Sequence, residues 1–253
     1  MDNTVILNVA EKKGCFGHAL QCDKYENISV ITIKKRKRAL KKIFKTLPNQ
    51  NILINNLIKD EYILNNCIKE YNEISYKTVF SVINKICRCT ASKYGIQLPF
   101  EEIYIYAIPK IAYKIITRLM DIGRMFTIVS EEPPGKEADE LYFEHGCIIR
   151  HIKKAERRNI SDSVVIRVDN MVDLTFVSSP IINVAETPVL GDKVIDARSI
   201  YVFDDRLLML CRLWGGNSSL KLYNLVGEMP PENAKVDINK TADRIFLLDM
   251  NQF

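Results

Sequence analysis

The sequence feature that most constrains the fold is a strand–helix–strand pattern between Glu101 and Glu132. Its first part, residues 101–107 (EEIYIYA), is a short run rich in isoleucine and tyrosine, which is typical of a strand covered on both faces. Pro109 then fits the first turn of a helix, where its missing N–H has no intrahelical partner to lose. One apolar helical stripe follows, formed by Ile111, Ala112, Ile115, Ile116, Leu119 and Met120.

The second half of this pattern predicts how the two strands are arranged. Gly123 is expected to end the helix as its C′ residue, and residues 125–132 (MFTIVSEE) predict a second buried strand. Two strands joined by a helix of about four turns are parallel, with a right-handed crossover, and form half of a doubly wound sheet. Ligands bind such sheets beyond the carboxyl ends of the strands, which here are residues 107–109 and 130–132.

This unit resembles the Rossmann-type dinucleotide-binding unit. The resemblance implies that an acidic residue at the end of the second strand holds the adenosine ribose, and Glu131 or Glu132 matches that position. The glycine-rich turn of the family is missing, because residues 106–112 read YAIPKIA. Those glycines let the backbone approach the pyrophosphate. Ile108 and Pro109 therefore predict a degenerate phosphate site.

The candidate cofactor-binding residues all belong to this edge of the predicted sheet. They are Ala107, Ile108, Lys110, Ser130, Glu131, Glu132 and Asp169. The resemblance implies NAD or NADP as the cofactor, if one binds. Together with Asn170 and Glu186, the acidic residues of this set could bind a cation or a ribose, or serve as ordinary caps and turn residues.

Length and composition favour an ordinary globular protein. The 253 residues fit one large domain or two of ordinary size, and hydrophobic and charged residues make up 47% and 26% of the chain. No apolar run reaches the roughly 18 residues that a membrane span needs, and the N-terminus lacks the order of regions found in a signal peptide. We therefore expect a cytoplasmic protein.

The alternation of predicted strands and helices divides the chain into three parts. Residues 1–95 predict a small N-terminal α/β lobe that ends in a long connecting helix. Residues 96–190 predict a Rossmann-like parallel-sheet domain. Residues 191–253 form an irregular C-terminal extension, which either extends this sheet or returns to cover the first lobe. The predicted fold class is therefore α/β.

Individual elements follow from periodicity and from cap residues. The long helix covers residues 75–94, with Ser75 as its N-cap and Gly95 as its stop. An earlier helix begins at Asp60 and runs to about Tyr71. The remaining predictions are a helix at residues 136–145 and strands at residues 4–10, 28–33, 51–57, 147–152, 163–168 and 180–184.

Residues 34–45 (KKRKRALKKIFK) form a basic segment with eight basic side chains and no acidic one. The segment predicts either a patch for nucleic acid or another anionic surface, or the solvated face of a helix over residues 36–47. The apolar stripe of that helix is formed by Leu40, Ile43, Phe44 and Leu47.

Cysteines and histidines supply no metal or catalytic motif. The seven cysteines contain no CxxC pair, since Cys87 and Cys89 are separated by one residue. The histidines His18, His145 and His151 show no ligand spacing, and neither GxSxG nor GxxxxGK[ST] occurs. The sequence therefore predicts no metal site and no catalytic set.

Two wider resemblances bear on function. The order of elements resembles two-domain dehydrogenases of the shikimate and glutamyl-tRNA reductase kind, and residues 121–150 are similar to small uncharacterised proteins of spore-forming clostridia. Because the glycine turn is missing, we expect a non-catalytic regulatory or interaction module with a degenerate nucleotide pocket and a protein partner. The alternatives are an NAD(P)-dependent oxidoreductase and a nucleic-acid-binding protein that uses residues 34–45.

Overall fold

The computed structural model describes ten ranges of the chain: residues 4–10, 21–25, 28–34, 51–55, 65–153, 163–169, 178–217, 219–226, 234–242 and 244–249. The chain forms two compact units. The first takes its residues from Met1–Ile74, Val202–Asn233 and Ala242–Phe253. The second takes its residues from Ser75–Tyr201 and Ala234–Thr241.

Strands and helices are numbered in chain order within these ranges. The strands are β1 (Thr4–Ala10), β2 (Gln21–Tyr25), β3 (Ile28–Lys34), β4 (Asn51–Ile54), β5 (Ile68–Tyr71), β6 (Phe100–Tyr106), β7 (Gly123–Val129), β8 (Ile148–Ile152), β9 (Val164–Arg167), β10 (Ile181–Asn183), β11 (Val194–Asp196), β12 (Ile200–Phe203), β13 (Lys235–Thr241) and β14 (Ile245–Leu248). The helices are α1 (Tyr76–Tyr94), α2 (Pro109–Leu119), α3 (Glu137–His145), α4 (Asp205–Trp214) and α5 (Leu220–Val226).

The first unit is built on a mixed sheet of six strands in the order β2-β3-β1-β4-β14-β5. β1 pairs in parallel with β3 and β4, whereas β2 runs antiparallel to β3 and β14 runs antiparallel to β4 and β5. Branched apolar side chains alternate along these strands and bury one face together. Members of this core are Val5, Leu7, Ile31, Ile33, Ile52, Ile54 and Leu248.

Helix α4 packs on β1 and is tied to the sheet of the first unit by a tryptophan. Trp214, the only tryptophan of the chain, is 2% exposed, and its Nε1 donates a hydrogen bond of 2.8 Å to the carbonyl oxygen of Ile54. The helix begins after Asp204, whose carboxylate accepts a hydrogen bond of 2.7 Å from the N–H of Leu207. This cap satisfies a helix N–H that has no carbonyl partner.

The second unit contains a parallel sheet of six strands in the order β11-β10-β9-β6-β7-β8. Counted from β6 as the first strand, this order reads 3-2-1-4-5-6 from the β8 edge, which is the order of Rossmann dinucleotide-binding sheets. The predicted parallel pairing is confirmed, because Ile103 lies opposite Phe126 and Ile105 lies opposite Ile128. The predicted α/β fold class is likewise confirmed.

The long predicted helix is confirmed as α1, with both of its ends. The Oγ of Ser75 accepts a hydrogen bond of 3.3 Å from the N–H of Thr78, and Gly95 adopts a left-handed φ of 68°. Helix α1 packs against α2. Its buried residues include Val79, Val82, Ile83, Ile86 and Cys87.

The prediction that Gly123 ends α2 is wrong. The helix ends at Leu119, Met120 keeps a right-handed conformation, and Gly123 is the first residue of β7. Glycine is needed at this position for a different reason. A Cβ there would lie 2.7 Å from Cδ1 of Ile103 and 2.8 Å from Cζ of Phe126, both of which are fully buried.

The prediction of a helix that runs to about Tyr71 is also wrong. Residues Ile68–Tyr71 form strand β5, which pairs antiparallel with β14. The pairing partner comes from the other end of the chain, so local periodicity carries no sign of it. The predicted start of that helix at Asp60 lies outside the described residues.

The predicted helix at residues 36–47 lies outside the described ranges. Nucleic-acid binding by residues 34–45 therefore stays a prediction. Of the helices that these ranges contain, none has both the length and the apolar composition needed to cross a membrane.

Candidate functional site

The carboxyl ends of three neighbouring strands meet at one edge of the parallel sheet. Tyr106, the last residue of β6, lies opposite Val129 of β7 on one side and opposite Arg167 of β9 on the other. The N–H of Asp169 donates a hydrogen bond of 3.0 Å to the carbonyl oxygen of Tyr106. The sheet therefore brings together at one edge the predicted site residues Ala107, Ile108, Ser130, Glu131, Glu132 and Asp169.

The turn between β6 and α2 keeps the spacing of the Rossmann glycine motif without its glycines. Ala107, Pro109 and Ala112 occupy the three positions of G-x-G-x-x-G. Ala112 is fully buried, and alanine is accepted at the third position because it allows close packing of helix and strand. Pro109 occupies the second position, where the backbone approaches the pyrophosphate, and it has no N–H to offer.

The first turn of α2 is held by backbone hydrogen bonds, without a side-chain cap. Ile108, its N-cap residue, makes no side-chain capping hydrogen bond, and its carbonyl oxygen accepts hydrogen bonds of 2.9 Å and 3.0 Å from the N–H groups of Ile111 and Ala112. Lys110 is exposed in this turn. Its ammonium group is therefore the charged group that this turn can offer to a phosphate.

The turn after β7 carries two adjacent exposed carboxylates. The N–H of Ser130 extends the sheet by donating to the carbonyl oxygen of Ile152 at 3.0 Å, and the Oγ of Ser130 accepts a hydrogen bond of 3.1 Å from the N–H of Glu132. Glu131 and Glu132 are both exposed at this turn. Their position at the end of the second strand is the one where Rossmann proteins hold ribose hydroxyl groups.

A hydrogen bond from the next loop residues attaches this region to α2. The N–H of Gly135 donates to the hydroxyl oxygen of Tyr113 at 3.0 Å. Tyr113 is 5% exposed, and burial raises the pKa of its hydroxyl group. The loop that carries the two carboxylates is therefore fixed at its far end by a neutral tyrosine.

The structure adds a buried polar cluster that the sequence analysis missed. Arg167 and Asn183, the last residues of β9 and β10, lie opposite each other and are 5% and 3% exposed. Nη1 of Arg167 donates to Oδ1 of Asn183 at 3.0 Å and to the carbonyl oxygen of Thr187 at 2.9 Å, and Nη2 donates to Oγ1 of Thr187 at 2.8 Å. Burial lowers the pKa of the Arg167 guanidinium, while the charge of Asp169 opposes that shift.

This cluster organises the loop that follows β10. The Nδ2 of Asn183 donates to the carbonyl oxygens of Ala185 at 3.3 Å and Thr187 at 3.1 Å, and the N–H of Val184 donates to the carbonyl oxygen of Arg167 at 2.7 Å. The loop exposes Glu186 at the carboxyl edge. The only sign of the cluster in the sequence is an arginine within an apolar strand.

The two histidines within the described ranges lie on different elements. His151 is the penultimate residue of β8, and its Nε2 is buried without a hydrogen-bond partner. His145 is exposed at the end of α3, 3.8 Å from Glu144, and His18 lies outside the described residues. Within the described ranges, no group of three or more His, Cys, Asp or Glu side chains is arranged to hold a metal ion.

Comparisons with known proteins were made for families, for curated proteins and for solved structures. No family model matches the sequence, and no curated protein matches it. Among solved structures, the ligand-free 5-ketofructose reductase of Gluconobacter sp. strain CHM43 is similar with a TM-score of 0.36 and 9% identity. That match covers 90% of this chain and 98% of the reductase.

Two further solved structures are similar. The L-tryptophan dehydrogenase from Nostoc punctiforme has a TM-score of 0.35 and 12% identity, over 79% of this chain and 58% of that one. A chorismate mutase/shikimate 5-dehydrogenase fusion protein from Clostridium acetobutylicum has a TM-score of 0.31 and 12% identity, over 92% and 94% of the two chains. TM-scores below 0.5 do not establish a shared fold. The fold class therefore rests on the strand order of this protein itself.

Proposed function

We propose that the second unit binds an adenine nucleotide at the carboxyl edge of its parallel sheet, with NAD as the expected ligand, and that the protein is an NAD-dependent oxidoreductase. The observation that carries this proposal is the strand order 3-2-1-4-5-6. Its direction reverses between β6 and β9, and doubly wound sheets hold their ligands in the crevice at that reversal.

The ribose is assigned to the acidic turn after β7. Carboxylates accept hydrogen bonds from the 2′- and 3′-hydroxyl groups of a ribose, and Glu131 and Glu132 are exposed at the matching strand end. The same two charges repel a 2′-phosphate, which NADP carries and which an arginine usually accommodates. NAD is therefore favoured over NADP.

The phosphate groups are assigned to the turn before α2, which meets the requirements of a pyrophosphate only in part. Ala112 permits the close packing of helix and strand, whereas Pro109 removes a backbone donor. Lys110 supplies the positive charge, as a point charge and not as a fork of donors. We accordingly expect weaker dinucleotide binding than a glycine-rich turn provides.

When bound, a nicotinamide cofactor supplies the hydride acceptor or donor of an oxidoreductase. On one side of the proposed crevice between β6 and β9, the chain contributes the residues that end β9 and β10. There Arg167 and Asn183 hold the loop that contains Thr187 in one conformation through three hydrogen bonds of 2.8–3.1 Å to Thr187. Such bracing reduces the ordering entropy that a ligand has to overcome.

The second candidate is a non-catalytic regulatory or interaction module with a degenerate nucleotide pocket. The observation in its favour is the pair Ile108 and Pro109, which places an apolar side chain and a residue without N–H where the pyrophosphate approaches. Under this alternative the carboxyl edge keeps its shape without binding a dinucleotide.

A thermal-shift and calorimetric screen with NAD, NADP, adenosine monophosphate, ATP, GTP and S-adenosylmethionine separates the two candidates. A ligand at about one hundred times its Kd adds about 2.7 kcal/mol to the free energy of unfolding. We expect NAD to raise Tm and NADP to do so less at equal concentration. A chain whose Tm none of these compounds changes would be the non-catalytic module.

Paired substitutions then test the assigned residues. Glu131→Gln combined with Glu132→Gln should weaken NAD binding about tenfold or more, since a hydrogen bond to a charged group contributes about 1.5–3 kcal/mol. Glu101→Gln is the matched control, because Glu101 is equally exposed but lies near the amino end of β6. Equal effects of the two changes would contradict the ribose assignment.

A further inference from the structure

One hydrogen bond joins the two turns to which the ribose and the phosphates are assigned. We refer to residues 130–135, which include the two exposed carboxylates, as the acidic loop. The N–H of Gly135, its last residue, donates to the hydroxyl oxygen of Tyr113 at 3.0 Å. Tyr113 lies on α2, three residues after Lys110, and residues three apart are neighbours on a helix surface. The acidic loop is therefore attached to the part of α2 that presents the lysine.

The acidic loop is held at both of its ends. At its beginning, the N–H of Ser130 donates to the carbonyl oxygen of Ile152 at 3.0 Å, which fixes this residue to the sheet. At its end, the ring of Tyr113 lies against the backbone, because a Cβ on Gly135 would be 3.6 Å from Cε2 of that ring. Residues 133 and 134 are both proline, which restricts the backbone between the two ends. A loop restrained in this way loses less conformational entropy when a ligand binds.

The hydroxyl group of Tyr113 attaches the loop without adding a negative charge to it. Tyr113 is 5% exposed, and burial raises the pKa of its hydroxyl group. The hydrogen bond from Gly135 opposes this rise in pKa, and the charges of Glu137 and Asp139 add to it. The neutral hydroxyl group can therefore stay close to the carboxylates of the acidic loop.

We propose that Tyr113 is a positioning residue of the nucleotide site, which holds Glu131 and Glu132 where they accept hydrogen bonds from the ribose hydroxyl groups. This inference rests on the proposed function, because it requires an adenine nucleotide at this edge. Pro109 removes a backbone donor from the phosphate turn, so the ribose contacts supply a larger share of the affinity. Hydrogen bonds weaken steeply when their geometry is lost, and the position of the acidic loop therefore matters.

Calorimetric titration of Tyr113→Phe with two nucleotides tests the proposal. Adenosine monophosphate has both ribose hydroxyl groups, whereas 2′,3′-dideoxyadenosine monophosphate has neither. The substitution removes a single oxygen atom, and we expect the Kd for adenosine monophosphate to rise about threefold to tenfold. The Kd for the dideoxy compound should stay nearly unchanged. A merely structural role of Tyr113 would weaken the binding of both nucleotides equally.

Two further variants serve as controls. Tyr104→Phe removes a hydroxyl group that is equally buried in the same unit, since Tyr104 is 6% exposed and donates to Oε2 of Glu102 at 2.8 Å. It should change neither Kd. In a chain that already carries Glu131→Gln and Glu132→Gln, Tyr113→Phe should have almost no further effect, because the carboxylates that it positions are gone.

Hydrogen exchange of the Gly135 amide, measured without ligand, tests the contact itself. The amide should exchange slowly in the wild type and faster in Tyr113→Phe, because the hydrogen bond protects it. Fast exchange in the wild type would overturn the proposal.

The outcomes of the titration separate this inference from the proposed function. If the wild-type chain binds adenosine monophosphate and Tyr113→Phe binds it equally well, or loses both nucleotides to the same extent, the positioning role is wrong and the proposed function stands. If the wild-type chain binds no adenine nucleotide, the proposed function is wrong and this inference fails with it.

Discussion

Two side chains, those of Ile103 and Phe126, approach Gly123 so closely that single atoms exclude any larger residue there. Gly123→Ala would place a methyl group 2.7 Å from Cδ1 of Ile103 and 2.8 Å from Cζ of Phe126. Because both neighbours are fully buried, they have little room to move. We expect the free energy of unfolding to fall by about 1–3 kcal/mol in urea denaturation.

Ile103→Val provides the control for this prediction, since it removes the Cδ1 atom that the new methyl group would meet. The combined variant Gly123→Ala with Ile103→Val should lose less stability than the sum of the two single changes. Strictly additive losses would show that this contact is not the cause. The sequence shows a glycine at position 123, but it does not show why glycine is required there. The atoms that exclude a larger residue come partly from another strand, β6.

The N-cap of α1 is a residue whose role can be predicted from the sequence, since it depends only on close neighbours in the chain. The hydroxyl oxygen of Ser75 accepts a hydrogen bond from the N–H of Thr78 at 3.3 Å. Ser75→Ala should lower the free energy of unfolding by about 1 kcal/mol, as measured by chemical denaturation. Ser75→Asp restores an acceptor and should retain most of the stability. Equal losses in both variants would argue against a capping role.

At the scale of elements, helices and apolar strands could be predicted because their signals are local. Helix α1 and the strands from β6 to β10 follow from periodicity, caps and short apolar runs. Strand β5 was missed because its partner β14 is remote in the chain. Strand β13 (KVDINKT) was missed because it is largely polar, and its pairing with β12 determines its conformation.

The candidate site likewise contains residues that local sequence signals predict and residues that depend on the pairing of remote segments. Glu131 and Asp169 could be placed at one edge because the first lies at the end of a predicted strand and the second directly follows one. The pairing of Arg167 with Asn183 could not, because it depends on the register of β9 against β10 and on the loop that contains Thr187. Register follows from which faces of a sheet are buried, and two short apolar strands do not specify that by themselves.

A polar network links three strands of the parallel sheet and gives a prediction at this scale. Glu102 of β6 accepts hydrogen bonds from Thr127 of β7 and from Nη2 of Arg150 of β8, the latter at 2.7 Å. The Arg150 side chain is 38% exposed, so solvent screens the ion pair, while Glu102 is only 17% exposed. Arg150→Met should therefore lower the free energy of unfolding by about 1–2 kcal/mol, mainly because Glu102 loses its cation.

Adding Glu102→Leu to Arg150→Met removes both charges and should recover part of this loss. The measurement is a double-mutant cycle in urea, which isolates the coupling between the two side chains. A double variant that is less stable than the sum of its parts would contradict this account. Recovery would show that the ion pair adds little net stability beyond that of an apolar pair.

At the scale of the whole molecule, each unit is formed from more than one stretch of the chain. The first unit is assembled from three separate stretches, and residues beyond 191 contribute to both sheets. Strand β11 extends the parallel sheet, whereas β14 lies between β4 and β5 in the other sheet. Short apolar runs such as those of β11 and β14 fit either sheet equally well, so the sequence left their placement open.

The position of β14 inside a sheet, and not at its edge, makes the first unit dependent on the end of the chain. Removal of residues 242–253 separates β4 from β5 and takes Ile245, Leu247 and Leu248 out of a buried core. We expect the first unit to unfold and the emission of Trp214, which is 2% exposed, to shift to longer wavelength. The pairing of the parallel sheet uses none of these residues, so any NAD-induced stabilisation should remain.

Two point variants within β14 test the same idea without shortening the chain. Ile245 is fully buried and Phe246 is 38% exposed, since adjacent residues of a strand point to opposite faces. Ile245→Asp buries an unpaired charge and should shift the emission of Trp214 as the deletion does, whereas Phe246→Asp should leave it close to that of the wild type. If both variants, or neither, changed the emission, β14 would not hold the first unit together through its buried face.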